Sequence, residues 1–146
     1  MDKEGYMPVA KRQDWGTPQD LFDQLHTEFP FTLDVCASNE NAKCQSFYIR
    51  DALSLPWRPN TWSGWWWCNP PYGRELTRWV EKGVTERHGV MLLPARTDVK
   101  WFQDYLWDEH THAARPDIEL RFLRGRLRFE GAAASAPFPS LIAVIR

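Results

Sequence analysis

No apolar run approaches the ~18 residues needed to cross a bilayer, so no membrane partner is expected. No secretory signal is visible either, because Met1 to Arg12 is polar and lacks an apolar centre. Cysteine is scarce: Cys36, Cys44 and Cys68 are an odd set of three without a CxxC pair. That pattern excludes a disulfide framework and reads as free thiols in a reducing compartment, with no metal site. Net charge is nearly absent at −1, so no overall basic surplus advertises a polyanion partner, and only a local cluster could. The expectation is a soluble cytoplasmic protein whose oligomeric state the sequence does not declare.

What is present suits one core. The 146 residues are 43% hydrophobic and 14% aromatic, enough for a single packed domain. Nine tryptophans are many for this length, and most must fill that core. Residues 1–12 read as a tail, polar and without periodicity, and 13–146 as the domain, with no internal repeat and no separate recognition domain.

Thr17, Pro18 and Asp20 read as a helix start, followed by the stripe Leu21, Phe22, Leu25 and Phe29, with Pro30 as the stop. FTLDVC at 31–36 reads as a short buried strand. WSGWWWC at 62–68 reads as a second, running into Asn69-Pro70-Pro71-Tyr72, which cannot be regular structure. A helix is expected over 74–87, a strand over 90–93, and a helix capped by Asp98. A hairpin is expected over 117–129 around Gly125, and a last strand over 140–145. Alternating strands and helices predict an α/β fold: a mostly parallel sheet with helices on both faces and an antiparallel C-terminal hairpin.

The residues at strand ends carry the chemistry, since ligands of open α/β sheets bind there. An aromatic amine is a poor nucleophile because its lone pair is delocalised into the ring. Two acceptors on its N–H groups favour a more tetrahedral nitrogen. The Asn69 side-chain oxygen and the Pro70 carbonyl offer such acceptors, Pro71 restricts the direction of that carbonyl, and Tyr72 offers a ring for stacking. Asp34 at the end of the first strand either holds a ligand amine or caps the strand end, with small Ala37 and Ser38 leaving room beside it. The start of the first helix, at Thr17 and Pro18, either receives an anion or is a plain cap. Asp51 either accepts from ligand amino or hydroxyl groups or is a solvated turn. Arg96, after the third strand, can reach a phosphate or a base edge, while Asp98 reads as a cap. A tight turn at Arg124-Gly125 would set Arg121 opposite Arg128, two like charges that DNA phosphate or the nearby Glu119 and Glu130 would offset.

Taken in order, these pieces resemble the phage-type, Dam-like DNA N6-adenine methyltransferases. The resemblance rests on Asp14-Trp15-Gly16-Thr17-Pro18, Leu33-Asp34-Val35-Cys36-Ala37-Ser38, Asn69-Pro70-Pro71-Tyr72 and Leu93-Pro94-Ala95-Arg96-Thr97-Asp98 with Trp101-Phe102. It closes with Gly125-Arg126 and Pro137-Phe138-Pro139-Ser140. It implies a compact, Rossmann-like S-adenosylmethionine-dependent methyltransferase fold acting on DNA by direct displacement, with the target base flipped out of the stack. It implies Asn69, Pro70, Pro71 and Tyr72 at the base. Around S-adenosylmethionine it implies Trp15, Thr17, Pro18 and Asp34, together with Cys36, Ala37, Ser38 and Asp51. It implies Arg96, Arg121, Arg126 and Arg128 on DNA. Two departures stand out: Cys36-Ala37-Ser38 replaces a glycine-rich first loop, and the stretch from Cys36 to Trp62 is short for a full second αβ unit. Another planar amine (cytosine N4, RNA adenine, a protein glutamine) would suit the same loop, and a non-catalytic single-strand-binding module would also use the aromatics and arginines.

Overall fold

Two apolar runs, 90–93 and 141–145, are buried along their whole length, as strands covered on both faces must be. Both lie inside a sheet in the computed structural model, which describes residues 16–58 and 63–146. The expected tail, Trp15 and Trp62 lie outside the described residues. In chain order the elements are α1 (Gln19–Glu28), β1 (Phe31–Asp34), β2 (Ser46–Phe47), a 3-10 turn (Ala52–Ser54), β3 (Trp65–Cys68) and α2 (Leu76–Glu86). These are followed by β4 (Gly89–Pro94), α3 (Lys100–Tyr105), β5 (Trp107–Asp108), β6 (Ala113–Ala114), β7 (Ile118–Phe122) and β8 (Ser140–Ile145).

The main sheet has six strands in the order β2-β1-β3-β4-β8-β7, and β5 and β6 pair separately. β2, β1, β3 and β4 are parallel, while β8 runs antiparallel between β4 and β7. Alternation along the strands divides the core between two faces. Trp66, Met91, Leu93, Leu141 and Ala143 face Trp79 and Val80 of α2 and Trp101 and Phe102 of α3. Trp67, Val90, Leu92, Ile142 and Val144 face Phe22 and Leu25 of α1. A register shift in β1 between Phe31 and Leu33 sends these two residues to opposite faces despite their spacing of two. The expected α/β architecture, with helices on both faces and an antiparallel end to the sheet, is therefore the observed one.

Gly89 shows how tightly the tryptophans are packed. A Cβ there would lie 1.9 Å from the Trp66 indole, its cross-strand partner. No side chain larger than hydrogen fits without displacing a fully buried ring.

Several local expectations need correction. The antiparallel partner of β7 is β8 and not the 126–129 stretch: Arg121 lies opposite Ile142, not Arg128. β7 gains more from a neighbour that is buried on both faces than from an arginine-alternating segment, and Arg124 is a poor fit to tight hairpin geometry. The first helix begins at Gln19 with Pro18 at its N-cap position, so Thr17 does not cap it. The helix expected from Asp98 begins at Lys100 after Val99, without a side-chain cap bond. Between β1 and β3 the described residues hold only the two-residue β2 and one 3-10 turn, in keeping with the short spacing.

Candidate functional site

Because β1, β3 and β4 are parallel, Asp34, Cys68 and Pro94 end at one edge of the sheet. β7 ends at the same edge, since it is antiparallel to β8 and β8 to β4. The segments 35–45, 69–75, 95–99 and 123–139 therefore converge there, at the position where open α/β sheets bind ligands.

Among the described residues the buried polar or charged residues are Thr17, Asp34, Asn69 and Ser140, and all four lie at this edge, Ser140 as the partner of Pro94 across β4 and β8. Burying polar groups costs free energy unless they are bonded, so their placement is specific. Asn69, 8% exposed, follows β3 directly and donates from Nδ2 to Thr17 Oγ1 at 3.1 Å. Pro70 is buried, and Pro71 and Tyr72 are half-buried. The Tyr72 hydroxyl donates to the Leu92 carbonyl of β4 at 2.9 Å, and burial holds its phenol well above the usual range. Phe138 and Phe129 meet the ring edge-on, with centroids at 5.7 and 6.3 Å. Tyr72 is thus a rigid, neutral aromatic fixed at its tip and edges.

Beside Pro71 lies a cavity of about 270 Å³ lined by Val35, Cys36, Ala37, Tyr48, Ile49, Arg50, Asp51, Ala52, Pro71 and Trp79. It is close to the lower end of the roughly 300–1,000 Å³ of small-molecule sites. Asp51 is exposed and adopts left-handed backbone (φ 61°), a conformation aspartate tolerates better than most residues. A smaller recess of about 10 Å³ is lined by Gly16, Thr17, Asp34, Cys36, Asn41, Lys43, Trp67 and Asn69. Cys36 lines both.

Asp34 is 2% exposed, and burial pushes its carboxyl up to about 6 even though its oxygens accept from the Lys43 and Cys36 backbone N–H groups at 3.0 and 3.2 Å. Ser38 is half-buried and exchanges bonds with Asn41: its N–H donates to Asn41 Oδ1, and Ser38 Oγ accepts from the Asn41 N–H. Burial raises the Cys68 thiol well above its usual range and the Cys44 thiol to about 12. Neither supplies a thiolate at neutral pH, which leaves covalent catalysis without a nucleophile at these two positions.

The structure brings together Thr17, Asp34, Cys36, Ala37, Asp51, Asn69, Pro70, Pro71 and Tyr72 at this edge, with Ser38 in the adjoining loop. Pro18 lies next to Thr17 at the start of α1. The arginines divide. Arg96 is exposed, its guanidinium 5.9 Å from the centre of the Phe138 ring and so one ring from Tyr72. Arg126 is exposed, and Arg128 is exposed with Nε donating to the Ala132 carbonyl. Arg121 is instead held by Glu28, through two bonds of 2.6 and 2.7 Å, and by Glu119 at 2.6 Å. The opposing carboxylate expected from Glu119 is present, while Glu130 pairs elsewhere, with Lys43.

Lys43 was not singled out from the sequence. Its side chain is 6% exposed, and Nζ donates to Gln19 Oε1 at 2.8 Å and to Glu130 Oε2 at 3.1 Å. One lysine in a polar loop carries no local signal that it will bridge residues 24 and 87 positions away. Among the described residues no group of three or more His, Cys, Asp or Glu side chains could hold a metal ion. No helix among them is long and apolar enough to cross a membrane.

Comparison with known proteins gives three findings. The family described as DNA N-6-adenine-methyltransferase (Dam) matches residues 4–138. The "DNA N-6-adenine-methyltransferase" of Escherichia phage T1 is 31% identical over 107 residues, which are 66% of this chain and 42% of the phage protein. The "Putative methyltransferase YfdM" of Escherichia coli (strain K12) is 38% identical over 63 residues, 40% of this chain and 69% of that protein. No solved structure matches.

Proposed function

The chain belongs to the DNA N-6-adenine-methyltransferase (Dam) family, and from that premise we propose that it transfers a methyl group from S-adenosylmethionine to the exocyclic amine of adenine in DNA. The observation that carries this reading is the placement of the Asn69–Tyr72 loop, with Pro71 in the wall of a cavity and Asn69 in the neighbouring recess, at the edge where the buried polar residues collect. We assign the reaction to a single domain spanning 13–146.

The cavity fits the methyl donor in chemistry. Val35, Ile49, Pro71 and Trp79 are apolar walls suited to a flat heterocycle, and Asp51 is a carboxylate suited to hydroxyl or amino groups. Asp34 lines the neighbouring recess, which shares Cys36 with the cavity, and offers a carboxylate toward the donor's amino group. When bound, S-adenosylmethionine supplies an electrophilic methyl on a sulfonium.

Asn69 Oδ1 and the Pro70 carbonyl accept the two N–H groups of the target amine, which raises the nucleophilicity of its nitrogen. Tyr72 stacks on the base and, fixed at Leu92, Phe129 and Phe138, loses little freedom in doing so. With Asn69 only 8% exposed, entry of a base requires part of its cover to shift. Arg96, Arg126 and Arg128 take DNA phosphates. No general base is needed before transfer, because the amine loses its proton to water afterward.

The test is to incubate the chain with DNA and S-adenosylmethionine carrying a labelled methyl, then analyse nucleosides by mass spectrometry. Label in N6-methyladenine is expected. Label only in N4-methylcytosine, or none in DNA alongside donor-independent DNA binding, would overturn the assignment.

A further inference from the structure

Thr17 does not do what the start of a helix requires. α1 begins two residues later without a side-chain cap bond. Thr17 is turned inward, 3% exposed, and its Oγ1 accepts from Asn69 Nδ2 across 52 positions of sequence. The residues on either side of it are tied down independently. Gly16 forms an antiparallel bridge to Glu130, whose N–H donates to the Gly16 carbonyl at 2.9 Å. A Cβ on Gly16 would stand 3.1 Å from that of Glu130, so the two segments lie in close contact. Lys43 then joins Glu130 to Gln19. Two remote segments, those of Lys43 and Glu130, thus fix the place of one hydroxyl, and that hydroxyl meets the side chain on which the proposed reaction depends.

We propose that Thr17 is the positioning residue for Asn69: its hydroxyl, accepting from Nδ2, anchors the side-chain amide and leaves Oδ1 as the acceptor end for the target amine. The inference rests on the methyl-transfer reading. The two ends of an amide are nearly equal in size, so sterics do not choose between them. A hydroxyl can accept from Nδ2 or donate to Oδ1, so Thr17 fixes the place and plane of the amide, here by accepting from Nδ2, and the N–H groups of the target favour that same arrangement. With the amide rotated by half a turn, an NH₂ would confront the N–H groups of the target, and the acceptor would be lost. Valine at position 17 keeps the shape and removes the partner, leaving a buried Nδ2 to be satisfied some other way. Serine keeps the hydroxyl.

The experiment compares wild type, Thr17→Val and Thr17→Ser for kcat and KM on DNA, for donor Kd by calorimetry and for Tm. Thr17→Ala serves in place of the valine variant should that chain not fold. The expected result is a kcat roughly tenfold lower in Thr17→Val. Its donor Kd should stay within about threefold, and Thr17→Ser should stay near wild type. An unchanged kcat in Thr17→Val overturns the proposal. So does a loss matched by weaker donor binding, which would make Thr17 a donor contact, or an equal loss in Thr17→Ser. A wild-type chain that methylates no DNA would instead count against the functional reading itself.

Discussion

Two segments leave the same edge of the sheet and are built in opposite ways. The one following β1 is bonded to itself. Asp34 accepts from two backbone N–H groups, Ser38 and Asn41 exchange bonds, the Ala37 N–H donates to the Tyr48 carbonyl, and the Tyr48 N–H donates to the Asp34 carbonyl. The one following β7, residues 123–139, has few such bonds and is anchored by Phe129 and Phe138 against Tyr72, while Arg124, Arg126 and Arg128 face solvent. A loop with its polar groups fixed in place suits a small molecule of defined shape. A loop pinned from beneath by aromatics, with exposed cations above, suits an extended polyanion whose charges recur along its length.

The sharpest way to break this contrast lies between the two segments. Asn69→Ala should lower kcat by about 100- to 1,000-fold, as removal of a preorganised polar group at a reacting centre does, with Tm little changed. Steady-state kinetics beside a thermal melt checks it.

A smaller effect sharpens the first segment. The Asp34 carboxyl, raised to about 6, must ionise before it can attract the donor's ammonium. Donor affinity should therefore climb up to tenfold per pH unit below about 6 and level off above it. The stability of the free protein should run the other way. A raised folded-state value favours the protonated form, so this contribution is full below the ordinary value of 3.8 and lost as pH rises through about 6. Asp34→Asn should flatten the affinity profile; calorimetry from pH 5 to 8 that shows the same rise in the variant would assign it to another group.

The second segment is tested by charge. Arg126→Ala and Arg128→Ala should each weaken DNA binding a few-fold and reduce the slope of log K against log salt by about 1. The smallest effect belongs to Arg121→Ala. That guanidinium is occupied by Glu28 and Glu119, so its loss should cost no more than about 1 kcal/mol of stability and leave the salt slope alone. Titrations at several salt concentrations separate the two kinds of arginine.

The contrast also marks what can be read from the chain without coordinates. The last strand, 140–145, and the loop after β3 were legible because each has a strong local signature: an unbroken apolar run in one case, and two consecutive prolines in the other. The register at β7 was misread because the period-two pattern of Leu127 and Phe129 is genuine, yet those side chains pack as an irregular segment beneath Tyr72 and Leu92. β2, β5 and β6 are two residues each, too short to carry any periodicity. Thr17 looked like a cap because its neighbours Pro18 and Asp20 favour one, and nothing near it in sequence announces Asn69. Local rules find elements; partners tens of residues away are chosen by the packing of the whole.

The position of β8 has a further consequence for how the molecule is made. β8 is synthesised after β4 and β7 yet fits between them, so those two strands cannot be joined until residues 140–145 have left the ribosome. Until then the odd-numbered backbone groups of β4, which bond to β8, lie on an unprotected edge. The β4 and β7 sides of the sheet edge that carries the candidate site are therefore joined in one late step.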